Sequence, residues 1–180
     1  LNCPKNEFFL TDFSIDVQHE INNHILNAKS LIVLGVSLGK TQQLLFPLFE
    51  ERLQRGDTIR IVLINPKSLA CEISTKGKYV PVNLDGLRSQ IQYTLDTLVK
   101  IQMHKKGILE IRLIDYPLGH GGILIDSDSR TGKFYLWYYG YKTRQANRPK
   151  FVISPMDGYW YEYFQEEVNA IWNSAVPYNP

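Results

Sequence analysis

The segment Gly35-Val36-Ser37-Leu38-Gly39-Lys40-Thr41 joins an apolar run to a helical pattern. That is a place where backbone amides and a lysine can hold phosphate. Free N–H groups at a helix start attract anions, and Lys40 would neutralise them. The spacing departs from the nucleotide-binding P-loop, which has four residues between its glycines; here there are three. The missing residue matters because loop length sets how the amides point inward. The run from Leu109 to Asp115 imitates a magnesium-holding acidic strand, but apolar strands ending in Asp are common. Triphosphate hydrolysis is therefore not the expected chemistry. Ser37, Gly39 and Lys40 still stand at the C-terminal end of a strand, where open α/β sheets usually bind ligands. The plain alternative is a strand-to-helix turn with a solvated lysine.

A second chemical candidate is His120, alone in the glycine-rich stretch Gly119-His120-Gly121-Gly122. Such a residue is either a solvated or capping histidine or a reacting group. A third is the aromatic stretch from 133 to 164. Tyr135, Trp137, Tyr139 and Tyr141 alternate and share one sheet face; Phe134, Leu136, Tyr138 and Gly140 share the other. The core is expected to take Phe134, Leu136 and Tyr138, leaving an aromatic surface unless a helix covers it. Lys142, Arg144, Arg148 and Lys150 follow, with Arg130 and Lys133 across the hairpin. Aromatic rings beside cations suit base stacking with phosphate neutralisation. They suit a protein interface equally well. They are also what remains when both faces are covered and the basic loop is solvated.

The elements that must position these residues are legible from periodicity. Residues 1–13 read as an arm and Ser14 as a helix N-cap, with Val17, Ile21, Ile25 and Ala28 at helical spacing. Leu31 to Val36 reads as a buried strand. A helix is predicted from about Gly39 to Arg55, kinked or broken at Pro47, with Gly56 ending it. Thr58 to Ile64 is a second buried strand ending at Asn65-Pro66, and 65–82 reads as a loop. A long helix from about Asn83 to Lys105 presents Leu84, Leu87, Ile91, Leu95 and Leu98. Strands follow at Ile108–Ile114, Gly122–Asp126, Lys133–Tyr141 and Phe151–Ser154, with a hairpin turn over 127–132. A last helix starts after Asp157, and the tail from Pro177 to Pro180 breaks it.

Length bounds the answer to one domain, 14–176, with a tail at 177–180. The formal charge of +2 is too small to imply nucleic-acid binding by itself. Cys3 and Cys71 form no spacing pattern, so free thiols in a reducing compartment are expected. No apolar run has the length of a membrane span, and the N-terminus lacks signal-peptide order. A cytoplasmic location without membrane association is expected. The chain begins at Leu1, which suggests a domain from a longer protein or a trimmed one. The expected fold class is α/β, a mixed, mostly parallel sheet with helices on both faces.

The stretch from Leu31 to Ile64 resembles the first half of phospholipase D-like domains. There a helix ending in Arg-Gly, here Arg55-Gly56, leads to a strand such as "DTIRIVLINP". The corresponding signature stretch is "IRLIDYPLGHGGILIDSDSRTGKFYLWYYGYKT", and the resemblance covers most of residues 15–175. The family signature is His-x-Lys-x4-Asp. Counted back from Asp126, the His position falls on Gly119 and the Lys position on Gly121, with His120 one residue out of register. In a strand that shift turns the side chain to the opposite face unless a bulge restores it. The later Gly-Ser-x-Asn turn is represented only by Tyr139-Gly140-Tyr141-Lys142. The resemblance thus implies a phospholipase D-like scaffold with a degenerate active site. It leads us to expect a non-catalytic ligand-sensing or interaction module for an anionic or phosphate-bearing ligand. The ligand set is Ser37, Gly39, Lys40, Asn65, Asp126, Trp137, Tyr139, Tyr141 and Lys142. The rival is a phosphodiesterase or nuclease using His120 as its catalytic residue. No cofactor and no metal are expected; a protein partner or homodimer is, since the family pairs two copies. Nucleotide and nucleic acid remain candidate ligands.

Overall fold

Connection length decides how these strands pair. Parallel neighbours need a crossover of a dozen or more residues, whereas antiparallel neighbours need only a short link. In the computed structural model, which describes residues 15–39, 41–144 and 149–180, both kinds occur. Helix α1 (Ile15–Asn27) leads to β1 (Leu31–Gly35), α2 (Gln42–Arg55) and β2 (Thr58–Ile64). Helices α3 (Leu69–Lys76) and α4 (Leu84–Gln102) precede β3 (Ile108–Ile114). Strands β4 (His120–Ile125), β5 (Lys133–Tyr138) and β6 (Lys150–Ile153) follow without helices between them. A single 3-10 turn (Pro155–Asp157), α5 (Tyr159–Ser174) and β7 (Val176–Pro177) close the chain. The expected arm over 1–13, the Ser14 cap, Lys40, Arg148 and Cys3 lie outside the described residues.

The sheet order is β6-β5-β4-β1-β2-β3-β7. Only β1–β2 and β2–β3 are parallel. The pairs β1–β4, β3–β7, β4–β5 and β5–β6 are antiparallel. The expectation of a mostly parallel sheet is therefore corrected: the sheet is mixed, with parallel pairing confined to its centre. The links after β3 and β4 are too short for helical crossovers, so reversal is forced.

Residues 115–119 carry the chain from β3 past β2 and β1 to β4. Strands lie about 4.8 Å apart, and an extended residue reaches about 3.3–3.6 Å. So short a link must run almost straight across the strand ends. It places Pro117 and Leu118 directly over the carboxyl ends of the parallel strands, where both border a cavity.

Helices cover both faces. α1 lies over the face carrying Tyr135, where His24 Nδ1 hydrogen-bonds the Tyr135 hydroxyl and Lys133 pairs with Glu20 at 2.8 Å. α5 covers the opposite face: Phe164 packs against Phe134, and Trp172 lies 4.3 Å beneath the Arg112 guanidinium. Phe134 and Leu136 are buried as expected, but Tyr138 at the strand end is 52% exposed. The other face is no open aromatic surface, because α1 buries Tyr135.

The long helix matches its reading. Leu87, Ile91, Leu95 and Leu98 are fully buried, and the Asn83 side chain caps α4 by accepting from Gly86 N at 2.6 Å. Helix α2 starts at Gln42 and continues through Pro47, which faces solvent, so the lost backbone donor leaves no buried orphan. Two readings are corrected. The stretch 65–82 contains α3, capped by Ser68. Eight residues are too few for a helix to hold by itself, and burial of Ala70 and Cys71 supplies the difference. Val176–Pro177 also stays in the fold, paired with Leu113 and Arg112 at the β3 edge.

His24 makes stability depend on pH. Burial lowers its pKa, Lys133 adds to the effect, and Glu20 and Asp126 oppose it. The folded protein thus keeps the ring neutral where the unfolded chain, with its ordinary value of 6.5, takes up a proton. The unfolded state binds more protons between those two values, so stability falls as pH drops through that window and levels off below it. His24→Gln is expected to flatten this part of the profile. Urea unfolding at about pH 7.5 and about pH 5.5 measures it, and equal pH slopes for both proteins would refute it.

Candidate functional site

At the carboxyl ends of β1 and β5 the fold leaves a cleft of about 290 Å³. Its sides come from the β1–α2 loop, the C-terminal end of α3, α4, the 115–119 link and the segment after β5. Of the residues expected to bind ligand, Ser37, Gly39, Trp137, Tyr139 and Tyr141 come together here. Others do not. Asn65 lies at the end of β2 but outside the lining; its amide donates to Asp115 at 2.8 Å and its side-chain oxygen accepts from Lys67 N. Asp126 is at the far end of β4, where its carboxylate accepts from Lys29 N and Ser30 N at 2.6 and 2.8 Å. It ties β4 to the α1–β1 link. Lys142 is exposed beside the cleft, its ammonium 5.3 Å from the Tyr141 ring centre and its amide donating to Gly77 O. Lys40 lies outside the described residues.

His120 is on the other side of the sheet. It pairs with Tyr138, while Gly121 pairs with Trp137, so alternation turns the imidazole away from the cleft. The ring is buried edge-on between Phe134 and Phe164. Nε2 lies 3.0 Å from Glu167 Oε2. The carboxylate accepts, so Nε2 holds the proton and Nδ1 is left buried without a partner.

The cleft's aromatic wall rests on a glycine. A Cβ on Gly121 would sit 2.6 Å from Trp137 Cε2 and closer still to Trp137 Nε1 and the Tyr139 hydroxyl. Bare backbone lets both rings lie against β4, and Trp137 Nε1 donates to the Tyr139 oxygen at 3.1 Å. Gly121 is where the phospholipase D-like resemblance places a lysine. Two aromatic rings occupy that space instead.

The opposite wall also rests on a glycine. A Cβ on Gly39 would sit 2.7 Å from Gln90 Cδ and closer to Nε2. Gly39 N approaches Ser37 Oγ at 3.5 Å, and Ser37 Oγ donates to Gln90 Oε1 at 3.1 Å. Thr94 Oγ1 donates to Ser37 O at 2.7 Å and receives the Gln42 amide. Leu38 sits in the left-handed region at φ 52°. Such a conformation costs a non-glycine residue about 1–3 kcal/mol and recurs at ligand sites. The Thr41 and Gln42 amides are not open to an anion as in a P-loop cradle, because they donate to Leu38 O at 2.9 and 3.0 Å.

Lys78, Ser74 and Gln90 also line the cleft, and sequence reasoning did not reach them. Ser74 and Lys78 depend on the unexpected α3. Gln90 is on the polar side of α4, with no local pattern to mark it. The basic residues are also divided. Lys142 and Arg144 follow β5, whereas Arg130 and Lys133 precede or begin it, about 20 Å away along the strand. Lys133 is paired with Glu20. Among the described residues, no cluster of His, Cys, Asp and Glu could hold a metal, and no helix is long and apolar enough to cross a membrane.

The chain is thus an α/β domain with a mixed seven-stranded sheet and a strand-end cleft, the class that fold and site define. No protein-family model matches it, and no curated protein matches it in sequence.

Proposed function

We propose that this chain is a non-catalytic ligand-sensing or interaction module on a phospholipase D-like scaffold. It binds an anionic, phosphate-bearing small molecule in the strand-end cleft and serves as the regulatory part of a larger intracellular protein. The observation that carries this reading is the cleft itself. It lies where open α/β sheets receive ligands, and it gathers Ser37, Gly39, Lys78 and the aromatic wall while His120 faces away.

Inorganic phosphate and pyrophosphate are expected to raise the unfolding temperature above that in chloride of matched ionic strength. A ligand at 100 times its Kd stabilises by about 2.7 kcal/mol. Equal unfolding temperatures at all phosphate and pyrophosphate concentrations would count against an anion site. The partner part of the proposal, a homodimer, is tested by sedimentation; a monomer at high micromolar concentration refutes it.

A second reading is a phosphodiesterase or nuclease using His120. The 3.0 Å Glu167 contact favours it, since a carboxylate-held imidazole is a common acid–base arrangement. It predicts hydrolysis of a generic phosphodiester or single-stranded DNA that disappears in His120→Ala. Activity lost in that variant would replace the sensor reading.

A further inference from the structure

The lining of the cleft specifies more than an anion. Its volume, about 290 Å³, stands at the lower end of small-molecule sites, which run from about 300 to 1,000 Å³. A dinucleotide or a polymer segment is too large. Phosphate alone would leave most of it empty, and the Thr41 and Gln42 amides of the loop are already spent on Leu38 O.

Three features of the lining select a ligand. Trp137 and Tyr139 are braced on Gly121 and on each other, and Tyr141 extends the same wall with 72% of its surface exposed. The first two rings are held in place before any ligand arrives. Across from them, the Ser37 hydroxyl donates to Gln90 Oε1, so the carboxamide has its orientation chosen and offers Nε2 as a donor. Finally, the lining carries a cation: Lys78 is the charged residue among its described residues, which include no Asp or Glu.

A planar ring with hydrogen-bond acceptors on its edge uses the first two features. One attached anionic group uses the third. A sugar phosphate lacks the plane, an apolar ring wastes the oriented amide, and a cation finds no counter-charge. We propose that the cleft takes a nucleoside monophosphate, with the base against the Trp137–Tyr139–Tyr141 wall, its edge toward Gln90 and the phosphate toward Lys78. This rests on the phosphate-ligand reading above and narrows it to one chemical class.

Titration calorimetry with AMP, GMP, CMP, UMP, their nucleosides, ribose 5-phosphate and inorganic phosphate tests it. At least one nucleotide is expected to bind about 5- to 100-fold tighter than ribose 5-phosphate, the range of base–aromatic stacking. Tyr141→Ala is expected to erase most of that margin without changing the unfolding temperature, since the ring is mostly solvated. Gln90→Glu, nearly isosteric and on an exposed residue, is expected to weaken the nucleotide about tenfold or more, because it removes the donor and repels phosphate. Lys78→Ala is expected to weaken nucleotide but not nucleoside.

Ribose 5-phosphate or phosphate binding as tightly as every nucleotide would overturn this inference and leave the anion reading standing. Absence of binding by nucleotide, sugar phosphate and phosphate alike would remove both. Nucleosides binding as tightly as nucleotides would overturn the monophosphate assignment. Nucleotide binding indifferent to both Tyr141→Ala and Gln90→Glu would place the site elsewhere and overturn it too.

Discussion

Arg52→Met is expected to lower folding stability by about 2–6 kcal/mol, at about 1–3 kcal/mol for each of two buried carbonyls left without a donor. Arg52 is completely buried in the middle of the domain. Its Nη1 donates to Ile25 O at 2.6 Å and to Ala28 O at 2.8 Å. These carbonyls close α1, and the last carbonyls of a helix have no partner within it. One guanidinium thus caps α1 from α2, and its Nη2 lies 3.7 Å from Asp57. Methionine fills much of the volume but leaves the carbonyls orphaned and buried. Lysine restores charge without the planar fork, so Arg52→Lys is expected to fall between the two. Urea unfolding measures both. A loss below about 1 kcal/mol for Arg52→Met, the size of an ordinary substitution, would show that the cap is not needed.

The second large effect separates two glycines that both meet atoms at short range. A Cβ on Gly107 would sit 2.9 Å from Leu53 Cα and closer to the Asp57 carbonyl oxygen. Both are backbone, and Gly107 N already donates to Leu53 O at 2.8 Å. Neither partner can step aside without opening the α2–β2 turn. Gly107→Ala is therefore expected at or beyond the upper end of the roughly 1–3 kcal/mol typical of overpacking. Gly121→Ala meets only ring atoms of Trp137 and Tyr139, which can swing outward into the cleft. Its unfolding free energy is expected to fall less than that of Gly107→Ala. Its affinity for the cleft ligand is expected to fall about tenfold or more, the value of a stacking contact. Equal stability losses in the two variants, or unchanged ligand affinity in Gly121→Ala, would contradict this division.

Much of the frame was legible because it follows from short-range rules. The stripe Leu87, Ile91, Leu95 and Leu98 recurs at helical spacing and is buried. The apolar runs of β1 and β2 read as buried strands, and they are buried apart from Thr58 and Arg60 at the start of β2. Alternation alone also put Trp137 and Tyr139 on one face, but that His120, expected near the same strand ends, faces the other side followed only from its pairing with Tyr138. Alternation is a covalent property of an extended chain, so it needs no knowledge of neighbours.

Other features depended on what the chain meets in space. Helix α3 is only eight residues long, between Pro66 and Gly77, and forms where Ala70 and Cys71 find the core. Asp126 looked like the end of a signature, yet its carboxylate accepts two amides from residues 29 and 30, nearly a hundred positions earlier. Gln90 becomes a wall of the cleft because Gly39 lets it approach and Ser37 turns its amide. The sequence by itself therefore determined most of the helices and strands, α3 and β7 excepted, and which residues of a strand share a face. Only the tertiary structure decided which loop ends meet and which polar groups line the cleft. Periodicity is written into neighbouring residues, whereas a cleft is made where segments far apart in the chain converge.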